Sequence, residues 1–104
     1  MSTYQIVRDA ILNKRQIIAN YKGYDRELCP HVLGTKHGRS HALFYQFGGH
    51  SSSGPIIEGS PSNWRCLKLE ELVDVRARDG EWHSAFNHSR PQTCVDIIDV
   101  EVAG

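Results

Sequence analysis

Net charge, long apolar runs and paired cysteines are what this sequence has little of. Lysine plus arginine equal aspartate plus glutamate at 12 each, so no bulk attraction to nucleic acid or to a membrane surface follows from composition. No apolar run approaches the roughly 20 residues that a membrane-spanning helix requires, and the reading is of a soluble chain. Three cysteines, Cys29, Cys66 and Cys94, are an odd number with no CxxC pair and no signal-peptide pattern ahead of them. That usage predicts free thiols in a reducing cytoplasm.

Further absences narrow the chemistry. Gly48-Gly49 and Gly54 lack the Lys-Ser/Thr ending and following helix of a phosphate loop. No strand-turn-helix nucleophile elbow is present and nothing fixes a triad around a Cys or His, so no enzymatic activity is expected. Cys29 and His31 fall on one face of a predicted strand, but structural metal sites show close ligand pairs twice over and no second pair occurs. Neither a metal nor a cofactor is expected. No internal repeat is visible, and 104 residues fit one domain with one modest core.

What the sequence does contain is organised around Ile17 to Leu33, IIANYKGYDRELCPHVL. Ile17, Ala19 and Tyr21 alternate with Ile18 and Asn20, the period of a strand, and Lys22-Gly23-Tyr24-Asp25 supplies turn chemistry. This predicts a hairpin whose second arm sets Arg26, Leu28, Pro30 and Val32 on one face and Glu27, Cys29, His31 and Leu33 on the other. Pro30 cannot donate to a ladder, so the arm is expected to lie at an edge or to bend there.

Ahead of the hairpin, Ser2 and Gln5 have capping-box spacing, and Tyr4, Ile6, Val7, Ala10 and Ile11 mark a helical stripe over about Thr3 to Lys14. After it, His41 to Phe47 (HALFYQF) is apolar on both faces, as in a strand covered on both sides. Gly48 to Asn63 reads as an exposed loop or lid that buries little. Trp64 to Leu69 and Leu72 to Ala77 read as strands separated by a tight turn at Glu70-Glu71, with Val73, Val75 and Ala77 inward. Trp82 and Phe86 have the spacing of one helical turn, Asn87 to Thr93 is loop, and CVDIIDVEV forms a last strand with a bulge at Ile97-Ile98. Strand-like runs at short spacing with turns between them predict a mainly β fold, an N-terminal helix packed on a small antiparallel barrel of about five strands.

Charge is unevenly spread. Met1 to His41 carries seven basic and three acidic residues, and the remainder five and nine, so the first part can offer a local anion site. The aromatic residues Trp64, Trp82, Tyr45 and Phe44 are able to stack on bases but are read first as core.

A short helix leading into AILNKRQIIANY, the Tyr21-x-Gly23 turn, Arg26 with Pro30, the HALFYQF strand, and Arg65-Cys-Leu-Lys-Leu-Glu-Glu-Leu72 together resemble the WYL domain over nearly the whole chain. The family's Trp-Tyr-Leu triplet stands here as His41-Ala42-Leu43, and its second Arg in the later run is Glu71. The resemblance implies an Sm-like or SH3-like barrel and a standalone bacterial ligand-sensing module acting with a partner transcription or defence protein. It implies an anionic ligand, whether nucleotide, cyclic oligonucleotide or single-stranded nucleic acid, on Arg26, His31, Arg39, Tyr45, Arg65 and Lys68. Arginine forks grip phosphates bidentately and an aromatic ring beside them stacks a base. The alternative is a non-catalytic interaction or oligomerisation domain, a homodimer among the possibilities, using an apolar strip with Ile56, Ile57 and Val102.

Overall fold

The computed structural model describes residues 2–49, 63–83 and 94–102. Most of the expected loop from Gly48 to Asn63, the Phe86 turn and the 87–93 loop lie outside the described residues.

Helix α1 spans Thr3–Asn13. Ser2 caps it, its Oγ accepting from the Gln5 N–H, and Lys14 ends it in a left-handed conformation with φ 51°. The buried stripe Val7, Ala10 and Ile11 is what ties this short helix to the sheet, since three turns alone are marginal in water. Six strands follow: β1 Gln16–Tyr21, β2 Tyr24–Lys36, β3 Arg39–Gly49, β4 Trp64–Lys68, β5 Leu72–Arg78 and β6 Ile97–Glu101. The first two hairpins close through two-residue turns, Lys22-Gly23 and His37-Gly38, with positive φ at all four positions. That geometry matches the strand twist. Asn20 steadies the first turn by accepting from the Gly23 N–H.

All pairings are antiparallel and the strand order is β4-β3-β2-β1-β5. β2 is the spine. On one edge it pairs along its length with β3; on the other it pairs with β1 over residues 24–28 and with β6 over residues 32–35. The outer strands β4 and β5 stand at opposite ends of this order, yet only the 3-10 turn Leu69–Glu71 joins them. Three residues reach about 10 Å, so the sheet curls strongly. It does not close into the expected barrel: among the described residues no ladder joins β4 to β5.

The bend expected at Pro30 is present, and β2 is central rather than an edge. The β2–β3 register slips between Pro30 and Val32, leaving His31 as an extra residue and reversing the strand's phase. Leu28 and Leu33 consequently share the helix-side core with Val7, Ile17, Phe44 and Leu67, whereas Val32 faces the far side with Leu43, Cys94 and Val95. β3 is covered on both faces, Ala42 and Phe44 toward the helix and Leu43, Tyr45 and Phe47 away from it.

Two further slips correct the expected facing of residues. On β5 the ladder to β1 gains a residue at Asp74, whose φ is 55°, so Val73 turns outward and is 54% exposed. The β6 slip falls between Ile98 and Val100 rather than at Ile97-Ile98. It leaves Asp99 as the extra residue, and its carboxylate accepts from the Tyr4 hydroxyl and pairs with Arg8 at 3.5 Å. This clasp holds α1 against β6.

The clasp makes stability depend on alkaline pH. Burial first, then the Asp99 carboxylate, push the Tyr4 phenol up to about 12 from an ordinary value near 10. A phenol raised in the folded state contributes stability that is intact below pH 10 and lost as pH rises through 12. Denaturant unfolding at pH 9 and at pH 11.5 should show this loss, and Tyr4→Phe should flatten that part of the slope.

The free-thiol expectation is overturned for two of the three cysteines. Cys66 and Cys94 form a disulfide across a Cα separation of 5.5 Å, and Cys29 alone is free and buried. Spacing could not reveal the pair because the partners stand 28 residues apart and are juxtaposed only by the return of the chain over β3. The inference of a reducing compartment rested on unpaired thiols and loses that support. No helix among the described residues is long and apolar enough to cross a membrane.

Candidate anion site at Arg26 and Arg65

Arg26 is 4% exposed, a cost that an arginine bears only where its guanidinium is engaged. It stands opposite Ala19 on β1 and Gly49 on β3. Its Nη1 donates to Gln46 Oε1 at 3.3 Å and its Nη2 to the Tyr21 carbonyl at 3.4 Å. The guanidinium lies 5.1 Å from the Tyr21 ring centroid and 5.9 Å from that of Tyr24, within cation–π range. Gln46 is itself fully buried and is oriented by donating to the Gly48 carbonyl. Arg26 Nε meets no acceptor, and none of the four ion pairs among the described residues involves this side chain.

Arg65 comes to the same region from β4. It sits opposite Phe44 and in phase with Leu67, which places it on the helix-side face. Burial lowers its pKa, and it lowers that of Arg26 in turn: desolvation is the larger cause there and repulsion by Arg65 the second. Two desolvated cations, Arg26 buried and Arg65 partly buried, that repel one another form a site of positive potential. An anion bound between them would relieve both effects.

The other residues expected in one patch are dispersed. His31 and Tyr45 lie on the far face in an aromatic layer. The His31 ring is 4.8 Å from Trp64 and 4.9 Å from Trp82, and Tyr45 is 5.0 Å from Trp64. His31 Nε2–H donates to the His83 carbonyl at 3.3 Å, and the His83 N–H donates to Cys29 Sγ, whose thiol burial pushes up to about 11. Arg39 is exposed at the β2–β3 turn and pairs with Glu70 at 2.9 Å. Lys68 is exposed at the end of β4, opposite His41. Of the six, Arg26 and Arg65 are coupled by charge, while His31 and Tyr45 share Trp64 as a neighbour on the opposite face.

Three neighbours of Arg26 escaped sequence reasoning: Tyr21, Tyr24 and Gln46. A signal for Gln46 existed, since it is the one polar amide inside the run HALFYQF, where a buried polar group needs a partner. Tyr21 and Tyr24 flank the turn as directly paired residues, so a hairpin reading alone sets both rings beside the strand that carries Arg26. Among the described residues no group of three His, Cys, Asp or Glu side chains converges as metal ligands would.

No family model, no curated protein and no solved structure matches this chain.

Proposed function

We propose that this chain is a WYL-like ligand-sensing module that binds a negatively charged ligand, a nucleotide or a single-stranded oligonucleotide, between Arg26 and Arg65. The observation that carries the reading is Arg26: a buried guanidinium beside a second cation, with an Nε–H aimed at no acceptor of the described chain. The half-exposed Tyr24 ring next to it offers a face for a base. The strongly curled though unclosed sheet and the three-residue link between its outer strands support a fold related to the Sm-like and SH3-like barrels, and the partner is then a bacterial regulatory or defence protein.

Arg26→Met tests this. A buried cation held for binding costs stability, and an apolar residue of similar length removes that cost. The variant is expected to melt at a temperature equal to or above the parent's while its affinity for a short oligothymidylate or for a nucleoside triphosphate falls about 10- to 100-fold, the worth of one charge-assisted contact. Arg26→Lys keeps charge without the fork and should bind between the two. A lower melting temperature with unchanged affinity would assign Arg26 to the fold instead.

A second reading, an interaction or oligomerisation domain, is favoured by the exposed Val73, Ile97 and Ile98, at 54%, 72% and 45%. Ile56 and Ile57 lie outside the described residues, and Val102 is half-buried against the helix-side core. A stable oligomer in light scattering, with no thermal shift from nucleotide or oligonucleotide, would decide for that reading.

A further inference from the structure

Among the described residues β4 has one neighbour. Its five residues pair there with β3 alone, Leu67 is the buried anchor on its helix side, and on its far side Cys66 is bonded to Cys94. The two ends of that bond differ. Cys66 is exposed, whereas Cys94 is 5% exposed and packs with Val32, Val95 and Leu43.

The segment after Cys94 is held independently of the bond. The Asp96 N–H donates to the Thr35 carbonyl, β6 pairs with β2, Asp99 takes Tyr4 and Arg8, and the Val102 N–H donates to the His31 carbonyl. Opening the disulfide therefore leaves the C-terminal segment docked and deprives β4 of its covalent tie. Cys29 takes no part, because its thiol is fully buried beneath the His83 N–H and stays protonated at neutral pH.

We infer that the Cys66–Cys94 disulfide is a thiol-responsive clasp that sets how firmly the edge strand β4 is attached to the sheet. A thiolate from solution attacks Sγ of the exposed residue Cys66, the S–S bond breaks, and Cys94 leaves as a thiolate that takes up a proton. A second thiol then attacks the mixed disulfide, releasing Cys66 as a thiol and the reductant as its own disulfide. Two electrons pass from two thiols to the clasp. Cys94 remains seated among Val32, Val95 and Leu43, so oxidation recloses the same bond. Arg65 is the residue next to Cys66 on β4, and the clasp thus acts on the strand that supplies it.

The test uses the full chain in mixtures of reduced and oxidised glutathione, with thiols counted by alkylation and mass measurement, and amide hydrogen exchange compared between the two forms. The expected result is reversible reduction of Cys66 and Cys94 with Cys29 unmodified. Exchange over residues 64–68 should be at least 10-fold faster in the reduced form, a larger factor than on β2. A bond that stays closed in excess reduced glutathione would overturn the inference. So would an equal rise on β2 and β4, which is loss of global stability alone, and so would no change at β4. None of these outcomes depends on whether an anion binds Arg26 and Arg65. Cys66→Ser, which cannot form the bond, should reproduce the fast exchange at β4 without any reductant, and parent-like exchange in that variant would equally overturn it.

Discussion

Gly34→Val is expected to strip β6 from the sheet and to cost on the order of 3 kcal/mol or more, the upper range for overpacking a tight site. A Cβ at Gly34 would stand 1.9 Å from the Ile97 carbonyl oxygen and 2.5 Å from Val95 Cγ1. The first of these atoms is backbone and cannot rotate aside. Gly34 is paired with Ile98 on β6 and His41 on β3, so the strand has no room to retreat toward its other neighbour. The comparison is Gly23→Ala. That position has φ 86° but nothing within 4 Å of an added Cβ, and only backbone strain of about 1 kcal/mol is expected. Urea unfolding separates the two, and a Gly34 variant that loses no more than Gly23→Ala would show that the β2–β6 contact yields easily.

Phe44→Ala should be equally damaging for a different reason. Its ring is fully buried in the helix-side core, between Pro30 on β2 and Arg65 on β4. Removing it takes away transfer free energy and leaves a cavity, together about 3–5 kcal/mol. A domain of this size has roughly 5–15 kcal/mol in total, so the change removes a large share. Leu12, 57% exposed on the helix, is the control, since Leu12→Ala should fall within about 0.5 kcal/mol. Phe44 is also the ladder partner of Arg65, so binding by the surviving folded fraction is expected to weaken too.

The helix, the hairpin around Lys22-Gly23 and the doubly covered β3 were legible because each is announced locally, by a cap, a turn or a period. The faces of β2, β5 and β6 were not. Each of these strands carries an extra residue, His31, Asp74 or Asp99, and such a slip is settled by the partner strand's register rather than by the strand's own sequence. That is why His31 and Val32, adjacent in an alternating pattern, both lie away from the helix, and why Val73 points outward. The same limit explains the site. Arg26 and Arg65 were legible as arginines on strands, but their meeting depends on a curled sheet that brings β4 near the first hairpin. Arg39 and Lys68, equally plausible by residue type, lie at the sheet's other end because β2 and β4 run away from that hairpin, placing Arg39 opposite Lys36 and Lys68 opposite His41.

The divided edge of β2 has a kinetic consequence. β1, β2 and β3 are joined by two-residue turns and can zip in sequence order, each turn closing a short loop. β5 and β6 are late arrivals: Gln16 must meet Arg78 and Thr35 must meet Ile97, closures of about sixty residues that become favourable only once a template exists. The three-stranded meander is then the nucleus, and contacts made by β6 form after the rate-limiting step. Under that order, substitutions at Gly34 should speed unfolding and leave refolding almost unchanged, whereas Phe44→Ala, inside the meander, should slow refolding. Stopped-flow rates for the two variants would show whether the chain assembles outward from β2 or gathers all six strands at once.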